Sequence, residues 1–277
     1  MTNPLLLYDN ILLDGALTAS DTATGYSVNN LIDYKAYTKW KGVDSTCYLE
    51  IDMGDQPIDS LAGSPIESLA GNDILALAGG AGAKVPDAIG IFNHNLGTIG
   101  ATVKVYYWDG AAYQQLLSYS PSNDITILQK FTTHSATKFK IEFSGMTAAP
   151  EIAIIFLGVK VEFPWRPDSP VIPYEQSMVL KAEISQAGNI LGAVIQHKPF
   201  TISHKWKDIT RTWFSTYYLP FWNYASDMLP FFYAWDTENR STEIWFLYLD
   251  PGMTFREVLS LINYSDEMIL MARSIGV

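Results

Sequence analysis

Leu49, Ile51 and Met53 alternate with Tyr48, Glu50 and Asp52, and Gly54 follows. A period of two is that of a strand with one face buried, and it excludes an amphipathic helix here. The same signal recurs downstream. Thr102 to Trp108 reads as a strand, Asp109-Gly110 as a hairpin turn, and Tyr113 to Leu117 as the returning strand. Lys138 to Phe143 alternates cleanly, and Ile152 to Phe163 closes the pattern with a run that is apolar up to Val159. That apolar run is about a third of the roughly 20 residues a membrane span needs, so it reads as a buried strand. The N-terminal part is therefore expected to be antiparallel and all-β.

The order of several short segments adds to this. Asn30-Leu31-Ile32-Asp33, Trp40, Tyr48 to Gly54, and Ala88-Ile89-Gly90-Ile91-Phe92-Asn93-His94-Asn95-Leu96-Gly97 together resemble a discoidin-like (galactose-binding-like) β-sandwich over residues 5 to 163. The resemblance implies a jelly-roll that binds through loops at one end and does no chemistry. Its ligands could be sugars, lipid headgroups or proteins, because a fold does not choose a ligand. Tyr26, Tyr37 and Lys39 fall in loops that would crowd one end, where aromatic rings stack on sugar faces. His94 and Asn95 could offer donors and acceptors to a sugar hydroxyl, or Asn93 and Asn95 could cap a strand and tolerate a left-handed turn. Trp40 corresponds to a core position, leaving Tyr26 and Tyr37 as the exposed pair. The expected ligand-binding set is Tyr26, Tyr37, Lys39, His94 and Asn95.

Two stretches break the pattern. Leu-Ala-Gly recurs at 61, 69 and 77, and residues 55 to 84 read as an inserted Gly/Ala-rich excursion. Prolines at 164, 167, 170 and 173 have the three-residue repeat of polyproline II. They predict a stiff linker over 164 to 173 or, alternatively, a loop lying along a sheet edge. The organisation expected is thus a sandwich over 1 to 163, the linker, and a second domain over 174 to 277.

The second domain reads as aromatic-rich α+β. Ile209, Trp213 and Tyr217 are spaced four apart, predicting a short helix that stops before Pro220. Phe231 to Trp235 and Thr242 to Leu249 read as a hairpin around the polar turn Asp236 to Ser241. Thr254 to Glu257 is a possible capping box opening a helix, while Met268 to Ala272 fits a helix or a strand. The aromatic content exceeds what a core of this size needs, so Trp213, Trp222, Phe231 and Trp245 are expected at a partner interface.

Bulk properties exclude several functions. The formal net charge of −11 disfavours nucleic acid and anionic membrane as partners. A single cysteine, Cys47, rules out an intrachain disulfide, and the first residues predict no signal peptide. There is no Gly-x-Ser-x-Gly elbow, no His-Glu-x-x-His and no phosphate loop, and the four histidines are scattered. No catalytic residue, metal or cofactor is expected. Glu50 and Asp52 share a strand face and read as solvated, and Cys47 as a small buried hydrophobe.

The whole resembles the discoidin-like tail-tip or baseplate proteins of tailed bacteriophages, and Leu229 to Asp236 adds to that likeness. The resemblance implies a non-enzymatic virion subunit, assembled in the host cytoplasm. Its partners would be itself and other tail proteins in a ring, with host surface glycan as a further ligand. The rival expectation is a carbohydrate-binding accessory module of a glycan-active enzyme.

Overall fold

A computed structural model describes residues 2–54, 83–177, 179–187, 189–250, 264–265 and 268–274. The excursion read at 55 to 84 falls almost wholly outside the described residues, as does the capping box at 254 to 257. The chain forms two compact units, Asp9–Lys160 and a second made of Met1–Tyr8 with Val161–Val277.

Among the described residues, the Asp9–Lys160 unit is a sandwich of two antiparallel sheets. One sheet runs Ala16–Ala19, Cys47–Asp52, Lys138–Ser144, Thr102–Trp108 and Tyr113–Tyr119 in that spatial order. The other runs Trp40–Lys41, Glu151–Gly158, Ala88–His94 and Ile127–Lys130. The expected alternation holds: Cys47, Leu49 and Ile51 are buried and pair across to Phe143, Ile141 and Phe139. These side chains meet Ile89, Ile91, Ile152, Ile155 and Leu157 of the facing sheet around Trp40 in one core. Glu151–Gly158 is buried at every residue after the first, as a strand covered on both faces should be. The hairpin turn at Asp109 forms as read, with its carboxylate accepting the amides of Ala111 and Ala112 and Gly110 at φ +101°.

Loops leave this sandwich at two ends, and antiparallel order decides which loops share an end. Ala19, Cys47, His94, Thr102, Tyr119, Ile127, Ser144 and Glu151 are all strand termini at the same end. The 20–46, 95–101, 120–126 and 145–150 connections are therefore neighbours there.

Among the described residues, the second unit is built on a seven-stranded antiparallel sheet. Its order is Lys160–Glu162, Leu5–Leu7, Phe231–Ala234, Ile244–Leu249, Met268–Ser274, Phe200–Trp206 and Glu175–Gln176. The Phe231 hairpin forms as expected, with Tyr233 opposite Trp245, and Met268–Ser274 is a strand. Leu5–Leu7 pairs with Phe231–Ala234, so the first eight residues belong to this unit and not to the sandwich.

Two readings are corrected. The proline stretch is not a free linker: it lies along Phe200–Trp206 as the sheet-edge alternative foresaw. The Asp168 amide donates to the Lys205 carbonyl (2.7 Å), and the indole N–H groups of Trp165 and Trp206 donate to the carbonyls of Lys207 (3.1 Å) and Trp165 (3.0 Å). Nor does the helix stop before Pro220. Arg211–Trp213 continues through a π-helical turn, Phe214–Tyr218, into Leu219–Ala225, with Pro220 in the first turn of that last piece. Proline lacks a backbone N–H and is tolerated where a helix starts, and the wider π turn resets the ladder at that point. The buried stripe is consequently Phe214, Tyr218, Phe221 and Ala225, while Tyr217 is exposed.

Candidate functional site: the loop end of the sandwich

Residues 20 to 41 cross the loop end, and polar side chains pin them at every turn. Ser27 caps the 3-10 helix Val28–Ile32, which buries Leu31. Asn30 Nδ2 donates to the Lys39 carbonyl (2.7 Å), and Asp33 accepts the Lys35 amide (2.9 Å) and the Thr38 hydroxyl (2.8 Å). Asn93, in the left-handed region at φ 50°, sends its Nδ2 to the Ala36 carbonyl at 2.7 Å. The Trp40 indole is fully buried and donates to Thr22 Oγ1 at 3.1 Å.

This scaffold presents Tyr37 between two anchored neighbours, Ala36 and Thr38, and leaves the ring 82% exposed. The backbone that carries this ring is already fixed, so binding to it need not order the loop. Tyr26 is 38% exposed at the same end, with the Lys41 ammonium 5.7 Å from its ring centroid. Lys41 pairs with Glu151 at 2.7 Å, and that bond raises the lysine pKa. Lys39 is half-buried, and its positive charge is among the groups that lower the His94 pKa.

His94 and Asn95 share this end but face inward. His94 is 5% exposed; its Nε2 lies 2.8 Å from the Ile125 carbonyl and its Nδ1 accepts the Leu96 amide at 3.2 Å. Burial lowers its pKa, with Lys39 adding to the effect. Asn95 Oδ1 accepts the Glu151 amide (2.8 Å) and its Nδ2 donates to the Ala149 carbonyl (3.1 Å). Both residues hold loops in place, so of the five expected ligand residues, Tyr26, Tyr37 and Lys39 remain available to a ligand. Asn93, in the structural role the sequence offered for it, does the positioning with Asp33 and with the Lys41–Glu151 pair, which the sequence did not single out. The Asx-rich Asn93-His94-Asn95 run was the signal for Asn93 and Asn95, since such residues bond loop backbone.

Cys47 is fully buried, and burial with the nearby Asp21 and Asp44 charges pushes its thiol up to about 12. On the outer face of the five-stranded sheet, Asp52 pairs with Lys138 (2.5 Å), and Glu142 bridges Lys104 (3.1 Å) and Lys140 (3.4 Å). Lys140 also sits 4.6 Å from the Tyr106 ring and 4.8 Å from the Tyr113 ring, so the face is a self-neutralised lattice. No group of three His, Cys, Asp or Glu side chains suited to a metal occurs among the described residues, and no helix among them is long and apolar enough to cross a membrane.

Of the expected interface aromatics of the second unit, Phe231 belongs to its core, and Trp213, Trp222 and Trp245 pack against that core. Phe231 is fully buried, edge-on to Phe221 at 4.8 Å, and cannot serve as an interface residue of this unit. Trp213, Trp222 and Trp245 are half-buried, with Trp213 against Phe163 (5.3 Å) and Trp245 against Tyr174 and Phe200 (both 5.9 Å). The interior between the wide sheet and its helical run takes up part of the aromatic content, Phe231 among it. A cavity of about 370 Å³ lies between Pro167, Pro170 and Ile172 and the strand residues Ser203, His204 and Lys205. His204 closes its floor, with Nδ1 2.6 Å from the Tyr233 hydroxyl and Nε2 3.0 Å from the Ile172 carbonyl.

No family model matches the chain, and no curated protein matches it. Solved structures do. The carbohydrate-binding module CBM32 of AlyQ, in complex with 4,5-unsaturated mannuronic acid, is 19% identical over 54% of this chain and 95% of its own, with a TM-score of 0.36. Chitosan-binding module 1 from a chitosanase/glucanase of Paenibacillus sp. IK-5 is 11% identical over 54% of this chain and 98% of its own, with a TM-score of 0.38. A pectin-binding carbohydrate-binding module is 16% identical over 58% and 98%, with a TM-score of 0.38. The overlaps span little more than half of this chain.

Proposed function

We propose that this chain is a non-enzymatic binding subunit whose sandwich holds a glycan at its loop end, with Tyr37 and Tyr26 stacking on sugar faces and Lys39 bonding hydroxyl or carboxylate oxygens. The observation that carries the reading is the Tyr37 ring, 82% exposed on a turn fixed from both sides by Asn93 and Asp33. Exposed aromatic area on a fixed turn beside a polar rim is what sugar recognition uses. Binding of the full chain to an array of neutral, acidic and basic oligosaccharides tests it. Saturable binding lost in Tyr37→Ala and Tyr26→Ala, with unfolding midpoints unchanged, is the expected result; binding that survives both changes refutes the site.

The setting we propose is the tail tip or baseplate of a tailed bacteriophage, where the second unit joins neighbouring subunits in a ring and the sandwich meets host surface glycan. Support for assembly comes from the second unit itself, which leaves Leu191, Val194 and Ile195 exposed on one hairpin. An accessory module of a glycan-active enzyme shares the sugar site but not the assembly. Immunogold electron microscopy with an antibody to this chain separates the two: label at the tail tip supports the virion reading, and particles without label reject it.

A further inference from the structure

Val179–Ile184 and Ile190–His197 form a hairpin that, among the described residues, pairs only with itself. It continues outward from Glu175–Gln176 and Phe200–Trp206, the last two strands of the large sheet, so Val179–Ile184 prolongs that sheet's edge strand. An isolated two-stranded ribbon is marginal in water. Its composition deepens the problem, because Ile190-Leu-Gly-Ala-Val-Ile195 is a continuous apolar run of the kind found in strands covered on both faces.

Both faces carry exposed residues. Lys181 pairs with Val194 and Ala182 with Ala193, so Ala182, Ala193 and Ile195 share one face and Lys181, Glu183, Gly192 and Val194 the other. Ile195 is 47% exposed on the first face and Val194 68% on the second; Leu191, at the ladder irregularity, is 70% exposed. A Cβ at Gly192 would meet nothing within 4 Å. Exposed apolar area on a free strand edge marks an interaction site.

We propose that the occupant is a second copy of this chain, its Val179–Ile184 strand pairing antiparallel with the same strand about a two-fold axis at Ala182. The charges select this partner and register. With Ala182 facing its own copy, each Lys181 lies opposite a Glu183, giving two cross-strand ion pairs on one face. Both copies' Ala193 and Ile195 then lie on the same face of a four-stranded sheet. A partner strand in a shifted register meets unpaired or like charges instead, which discourages open-ended edge pairing. The inference concerns the assembly half of the proposed function and is independent of sugar binding.

Analytical ultracentrifugation of the full chain, with charge variants on these two exposed positions, tests it. The chain should self-associate. Lys181→Glu and Glu183→Lys should each weaken that association by at least about tenfold, and the double swap K181E/E183K should restore it. Ala182→Cys should form a disulfide-linked dimer under mild oxidation, since facing Cα atoms about 4.5–5.5 Å apart fall within disulfide reach and the native Cys47 is buried. A chain that stays monomeric at its highest soluble concentration, or self-association unmoved by the single reversals, overturns the proposal. Loss of particle labelling would reject the tail setting and leave this pairing standing; a monomeric chain that still labels tail tips would do the reverse.

Discussion

Mild acid should destabilise the second unit through one histidine. His204 is 1% exposed, and burial holds its pKa near about 4 against an ordinary 6.5, with the carbonyls of Ile172 and Pro173 opposing the shift. A group whose folded pKa lies below its unfolded value binds fewer protons when folded. Stability present above pH 6.5 is therefore lost as the pH falls towards 4. Linkage between those two values gives about 2 kcal/mol lost from pH 7 to pH 5 and about 3 kcal/mol by pH 4. Asp236 is held at about 2: burial pushes it up, but the Asn239 side chain and the amides of Asn239, Thr2 and Glu238 outweigh that. Its own contribution disappears only below its unfolded value of 3.8, outside the histidine window. Six of the eight tryptophans follow Lys160, so urea unfolding read by tryptophan emission at pH 7, 6 and 5 reports chiefly on this unit. The His204→Gln variant should start less stable at pH 7, because the Tyr233 hydroxyl loses a good partner, yet lose about 2 kcal/mol less on going to pH 5. A direct NMR titration should show His204 no more than about a tenth imidazolium at pH 5. Equal pH dependence in the two proteins, or a His204 titration near 6.5, refutes the reasoning.

Other substitutions have expected outcomes. At Gly97 a Cβ would sit 2.2 Å from the Asn123 carbonyl carbon, so Gly97→Ala should cost the sandwich more than about 2 kcal/mol by chemical denaturation. Asn95→Ala removes bonds to Glu151 and Ala149 and should cost about 1–3 kcal/mol while lowering sugar affinity only through loop disorder, visible as faster amide exchange in 145–150. Phe231→Ala should cost about 3–5 kcal/mol, as core truncation does, whereas an interface residue would change association at constant stability. Tyr37→Ala, by contrast, should shift stability by no more than about 0.5 kcal/mol.

Much of the sandwich was legible because local periodicity decides it. Cys47–Asp52 and Lys138–Ser144 alternate strictly, and each strand's buried residues face a single core. Leu5–Leu7 was invisible: three leucines carry no period, and their partner, Phe231–Ala234, lies at the other end of the chain. The proline repeat specifies an extended backbone but not whether a sheet edge receives it, and here Lys205 and His204 do. At the loop end, residue type located the rings, Tyr26 and Tyr37, because large aromatics in polar loops stand out. It could not separate His94 and Asn95 from ligand contacts, since the same polar atoms serve a sugar or a neighbouring loop, and only burial distinguishes the uses. The register of Val179–Ile184 against Ile190–His197, which divides its charged and apolar residues between faces, likewise emerges only from the folded hairpin.

The loop end as a sugar site is tested most directly by amide and side-chain NMR of the full chain during oligosaccharide titration. Shift changes clustered on residues 22–41, with Tyr37 ring protons among the largest, are predicted. Saturable binding that leaves those signals in place and moves residues elsewhere would contradict the account.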